Sequence, residues 1–227
     1  MFSSDRNSVD TVVTEIVSRF SQLPEQTTQQ VRSLRRQFTR HLAQAEADVV
    51  IEIGRRLLMK RNFLYRFFAY ELISHHEQAL HSLRKGELIE FAGTLSSWGE
   101  VDIFALYLAG PCWREGQMAD GVIEGWARSK DKWWRRTALV CTVALNNKTR
   151  GGGGDSKRTL KICRLLASDR DDRVVKAQSW ALRELAKRDP KAVRDFLSEQ
   201  ESMLASRVLR EVRNKLMTGL KTPRKKV

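Results

Sequence analysis

Apolar residues recur along this chain at spacings of three and four, and no stretch of any length alternates with period two. That pattern predicts amphipathic helices and no sheet. The expected helices run over about 6–21, 26–43, 46–59, 62–75, 86–94, 99–109, 116–128, 131–146, 157–168, 171–188, 190–198 and 203–218. Helices of this length with short connections pair readily, each pair covering the apolar face of the last. The expected fold class is therefore all-α, a right-handed solenoid of antiparallel HEAT-like helical repeats. The repeat is degenerate and shows no clean period. One repeat domain is expected over 1–227, with a basic disordered tail at 219–227.

Some boundaries have a mechanism. Asp131 is placed to cap the helix that carries Trp133 and Trp134. Pro190 follows Asp189 and suits the first turn of a helix. Pro24 and Pro111 are expected to mark breaks. Phe63, Phe67 and Phe68 stand at helical spacing and are expected in the core. Gly151–Gly154 predicts a flexible loop over 148–157. It reads as a mobile connection between helices, or as backbone N–H groups that meet phosphate. It is not a nucleotide-binding P-loop, because no Gly-Lys-Ser/Thr triplet follows.

Charge changes the picture. The net charge is +14, and residues 1–110 contribute none of it, with 13 Lys+Arg against 13 Asp+Glu. Residues 111–227 hold 28 against 14. Such asymmetry points to a polyanionic partner for the second half, nucleic acid first. No run of apolar residues is long enough to span a membrane, and the N-terminus has no basic region followed by an apolar stretch. A cytoplasmic protein without membrane contact is expected. Cys112, Cys141 and Cys163 are widely spaced and odd in number, which fits reduced thiols. His75, His76 and His81 lack a second ligand group at metal-site spacing, so no metal and no cofactor are expected.

Three stretches carry candidate chemistry. In the helix over 171–188, Val174, Ala177, Ala181 and Leu185 form the buried stripe. Arg173, Lys176, Trp180, Arg183 and Lys187 share another face. Trp180 among four cations either packs on a neighbouring helix or forms an aromatic platform in a phosphate-binding groove. In the helix over 131–146, Trp134, Ala138, Cys141 and Leu145 form the apolar stripe. Trp133 and Arg136 face elsewhere, near Lys132. Arg136 either holds a phosphate or pairs with a carboxylate, Asp102 being a candidate. Trp98 and Asp102, four apart, share one helix face, and Asp102 stands between Val101 and Ile103 in an apolar stretch. A carboxylate there needs a partner or a purpose, although an aspartate near a helix start is ordinarily a cap or dipole partner.

In order along the chain, three patterns resemble the alkylpurine DNA glycosylases with HEAT-like repeats (AlkD-like enzymes). They are Trp98-x-x-x-Asp102, Trp133-x-x-Arg136-x-Ala138, and Lys176-Ala177-x-x-Trp180-Ala181-Leu182-Arg183-Glu184-x-Ala186-Lys187-x-x-Pro190. The resemblance covers roughly residues 85–215; before residue 60 only Val31–Arg36 looks related. Two departures stand out: Ser179 replaces a usual glycine, and the Gly151–Gly154 loop looks like an insertion.

The resemblance implies a solenoid with a concave basic groove that clasps duplex DNA, and a monofunctional enzyme that removes cationic N3- or N7-alkylated purines from it as the first step of base excision repair, without flipping the base. It implies Asp102, Trp98, Trp180 and Arg136 as the catalytic group. The DNA contacts expected around them are Lys132, Trp133, Arg135, Lys157, Arg158, Arg173, Lys176, Arg183 and Lys187. Double-stranded DNA is the implied partner and a monomer the implied state. Two other classes stay open: a non-catalytic relative that recognises damaged or branched DNA, and a helical scaffold for an acidic protein.

Overall fold

We describe residues 6–222 of a computed structural model, with side chains from Ser8. Of the basic tail expected at 219–227, residues 223–227 lie outside the described residues, as do the first five. Every regular element among the described residues is helical, in agreement with the all-α expectation. The helices are α1 (Arg6–Ser21), α2 (Thr28–His41), α3 (Ala47–Leu58), α4 (Phe63–Ser74), α5 (Glu77–Ser82), α6 (Lys85–Ala92) and α7 (Trp98–Phe104). They continue with α8 (Gly110–Arg114), α9 (Asp120–Ala127), α10 (Lys132–Asn146), α11 (Ser156–Leu165), α12 (Asp172–Leu185), α13 (Pro190–Glu199) and α14 (Ser206–Thr218).

The chain forms two compact units that divide between Thr94 and Leu95. In the first, α1, α3 and α5 pack in succession, and α2 packs on α4. Inside it, Glu71 is buried and accepts from Arg32 Nε at 2.8 Å and Arg35 Nε at 3.3 Å. Both arginines come from the stretch Val31–Arg36. Phe67 and Phe68 are core residues. Phe63, expected with them, is 39% exposed and stacks on Phe67. It is the first residue of α4, where the helix has not yet entered the core. His76 caps α5 by accepting from Ala79 N.

In the second unit α8, α10, α12 and α14 pack one on the next, while α9, α11 and α13 form a second row behind them. This two-row succession is compatible with HEAT-like repeats. The Val174, Ala177, Ala181 and Leu185 stripe is buried as patterned. Asp131 accepts from Trp133 N at 2.9 Å and caps α10. Asp189 caps α13 ahead of Pro190.

Pro111 does not break the chain direction. A π-turn over Ala105–Ala109 joins α7 to α8, and the Gly110 N–H reaches back five residues to the Ala105 carbonyl. The extra residue in the turn rearranges the hydrogen bonds just before the proline, which lacks an N–H of its own. Gly110 has a second reason to be there: a Cβ on it would lie 2.5 Å from the Ala144 Cβ. The α8 and α10 backbones therefore approach closely.

All three cysteines are buried and free. Burial holds the Cys163 thiol up at about 12, so it stays protonated and chemically quiet.

Candidate functional site

The site is built on three helices of the second unit. α7 starts at a well-made cap: Ser97 accepts from Glu100 N, and the Glu100 carboxylate accepts from Ser96 N at 3.0 Å and Ser96 Oγ at 2.9 Å. Trp98 is its first residue and is 65% exposed. One turn on, Asp102 points to α10 and meets Arg136 in a two-pronged fork, Nε to Oδ1 at 2.9 Å and Nη2 to Oδ2 at 2.8 Å. The remaining prong, Nη1, donates to the Arg173 carbonyl in the first turn of α12 at 2.6 Å. Arg136 thus ties α7, α10 and α12 together, and each of its three guanidinium nitrogens donates a hydrogen bond inside the protein.

The Asp102 side chain is 15% exposed and that of Arg136 8%. Burial pushes the Asp102 carboxyl above the usual aspartate value, against the opposing pull of the two Arg136 hydrogen bonds and of its charge. The fork occupies one lone-pair direction on each oxygen. A carboxylate offers about four such directions, so each oxygen keeps acceptor capacity.

Next to this pair stands Trp133. The Lys132 ammonium lies 5.5 Å from its ring centre and the Arg173 guanidinium 5.6 Å. Arg173 is exposed, and Lys132 and Trp133 are half-buried. Trp134 turns to the other side and packs on Trp126, with ring centres 4.8 Å apart, and edge-on to Phe104.

Other residues expected at the site have internal partners. Arg135 donates to Asp169 at 2.6 Å and to the carbonyls of Ser129 and Lys130, fastening the turn before α10. Arg158 pairs with Asp155, donates to the Trp113 carbonyl and lies over the Trp113 ring. Lys176 pairs with Asp172, and Lys187 with Glu184. Arg183 donates to Ser179 Oγ at 3.2 Å and lies 4.0 Å from Glu211. Burial lowers the Arg183 pKa, opposed by Glu211 and Glu184. Lys157 is exposed. Trp180 is half-buried on α12, seven residues beyond Arg173, about 10 Å along the axis. Among the described residues no hydrogen bond or ring contact joins Trp180 to Asp102 or Trp98. The structure therefore brings together Asp102 with Arg136, and Trp133 with Lys132 and Arg173.

Sequence reasoning missed the tie behind Trp180. Ser179 is buried and donates to Glu211 of α14 at 2.6 Å. Its signal was present: Glu211 sits inside the buried face marked by Val208 and Val212. Asp169, the partner of Arg135, lies in a loop and had no such signal. No cluster of three or more metal-ligating side chains occurs among the described residues. No helix among them is long and apolar enough to cross a membrane.

A row of packed helices carrying a forked Asp–Arg pair, an exposed indole on Trp98, half-buried ones on Trp133 and Trp180, and cations defines a class of helical-repeat proteins suited to a polyanion. The family model described as DNA alkylation repair enzyme matches residues 26–216, and the chain belongs to that family. DNA alkylation repair is its field of action and DNA its substrate. No curated protein and no solved structure matches the chain.

Proposed function

We propose that the protein is a monofunctional DNA glycosylase, acting as a monomer on duplex DNA. It hydrolyses the N-glycosidic bond of N3- or N7-alkylated purines without extruding the base. The observation that carries this reading is a carboxylate held in place by a bidentate arginine while each oxygen keeps acceptor capacity.

An N3- or N7-alkylated purine bears a formal positive charge, so its bond to the sugar is already weakened. When that bond breaks, its electron pair goes to the purine, which leaves neutral, and the sugar becomes cation-like. Asp102 stabilises the sugar cation and accepts a hydrogen bond from the attacking water. The water oxygen bonds to the sugar carbon, and its proton passes to Asp102 and on to solvent. Trp98 offers an exposed π face to the cationic lesion or sugar, and Trp180 a partly exposed one. Arg136 is a positioning residue here. Its fork sets the carboxylate's direction and favours its charged form, the second of the two roles open to it from sequence.

The test is single-turnover release of 7-methylguanine from methylated duplex DNA. Asp102→Asn is expected to slow release by about 10²–10⁴-fold, the range for loss of an acid–base group. A wild-type rate in that variant overturns the assignment. The fork is itself a sound structural ion pair, and this favours a second reading: a relative that binds damaged DNA without excising. Under it the wild-type protein binds methylated duplex and releases no base.

A further inference from the structure

Of the cations expected to meet DNA, most are already matched. Arg135 has Asp169, Arg136 has Asp102, Arg158 has Asp155, Lys176 has Asp172, and Lys187 has Glu184. Lys132 and Arg173 differ. Neither has a carboxylate within ion-pair distance among the described residues, and both converge on one indole, Trp133. They come from different helices: Lys132 opens α10, and Arg173 is in the first turn of α12. Both helix starts carry aspartate caps, Asp131 and Asp171, whose side chains accept from backbone N–H groups. Asp172 feels the Arg173 charge, yet the partner common to the two cations is a neutral, electron-rich ring. A π face attracts a cation without cancelling its charge. An indole therefore holds two flexible side chains while leaving both free to bind an anion. The ring also restricts the rotamers of two long side chains before any ligand arrives, which lowers the ordering cost of binding.

We propose that Lys132, Trp133 and Arg173 form a phosphate clamp for the DNA backbone beside Asp102, with Trp133 as the positioning residue that preorganises both cations. Phosphate holding then belongs to this clamp and not to Arg136, which is buried and donates from each of its three nitrogens to Asp102 or the Arg173 carbonyl. The clamp is tied to the carboxylate: the residue whose carbonyl orients Arg136 is the one whose guanidinium faces Trp133. The proposal rests on DNA binding at this face and is independent of whether the protein excises a base.

The experiment measures affinity for plain, unmethylated duplex DNA by fluorescence anisotropy between about 50 and 200 mM salt, because each neutralised phosphate adds about 0.9 to the slope of log K against log salt. Lys132→Ala and Arg173→Ala are each expected to flatten that slope by about one phosphate. Arg173→Ala keeps the backbone carbonyl that Arg136 uses. Trp133→Ala removes no charge, yet it should flatten the slope by at least a comparable amount, and Trp133→Phe should restore it. Thermal melting of each variant checks the fold. A wild-type slope in both charge variants overturns the clamp, and this arm holds even if Trp133→Ala fails to fold. A folded Trp133→Ala protein with wild-type slope overturns the role of the ring. Absent base release with these slope changes intact sinks the glycosylase reading and leaves the clamp standing.

Discussion

At the scale of single residues, the behaviour of Asp102 follows from two opposed influences. Burial favours its neutral acid, while the Arg136 fork favours the carboxylate, and burial prevails. Excision by the proposed route needs the carboxylate, so the rate should fall as pH drops through a pKa lying above the usual aspartate value. Arg136→Gln removes the opposing pull and should move that acid limb to higher pH; a single-turnover pH profile shows it. An unmoved limb would mean that another group sets the profile. The sign for stability is opposite. Folding raises this pKa above 3.8, so ionisation of Asp102 costs the fold stability above the folded value, and the cost vanishes below 3.8. Removing one member of a buried pair is also expensive, because the other is left uncompensated. Asp102→Leu should therefore destabilise by about 3–5 kcal/mol in chemical denaturation, and Asp102→Asn, which can still accept from Arg136, by less. From sequence, Asp102 called for a partner or a purpose beyond the ordinary role of a helix cap, and Arg136 was a candidate partner. Only packing could decide between phosphate and carboxylate, since the two residues lie 34 positions apart.

At the scale of elements, local rules were read correctly where the cause is local. The Asp131 cap, the helix start at Pro190 and the buried stripe of α12 depend on a few neighbouring residues, and each stands where the pattern put it. Two elements were not read from the sequence, each for its own reason. Pro111 suggested a break because proline lacks an N–H, but a π-turn precedes it and α8 lies tightly on α10. α5 escaped notice because six residues are too few for a clear period. Within 148–157, the segment expected as a flexible loop, several backbone groups are hydrogen-bonded. Gly152 N donates to the Asn147 carbonyl, and Gly154 N to the Leu145 carbonyl. Arg114 donates to the Arg150 carbonyl and Arg188 to the Gly152 carbonyl. Gly152 has no room for a side chain, since a Cβ would lie 2.7 Å from the Ala144 carbonyl oxygen and from Asn147 N. Both obstacles are backbone atoms, so Gly152→Ala should cost about 1–3 kcal/mol, the range for overpacking. Gly153, with nothing within 4 Å of its Cβ position, is the control, and Gly153→Ala should stay within about 0.5 kcal/mol. Equal urea midpoints for the two variants would contradict the packing around Gly152.

At the scale of the whole molecule, net charge gives direction and chemistry gives selectivity. The excess of cations lies in residues 111–227, and so do Arg136, Trp133 and Trp180. Much of that charge is matched by carboxylates, so the number of phosphates gripped should be well below the number of lysines and arginines. Selectivity among lesions follows from what the site supplies. The proposed centre has an anion and π faces, all of which stabilise positive charge. A neutral purine lesion would need a proton delivered to its leaving nitrogen, and the forked Asp102 serves the reaction as a base. The base-release rate should therefore track the charge of the lesion. 7-Methylguanine and 3-methyladenine in duplex DNA should be released, and a neutral lesion such as hypoxanthine should react at least about 10²-fold more slowly, the minimum usually contributed by a general acid. Comparable single-turnover rates on cationic and neutral lesions would require an acid this centre does not contain, and would refute the mechanism even if Asp102→Asn proved inactive.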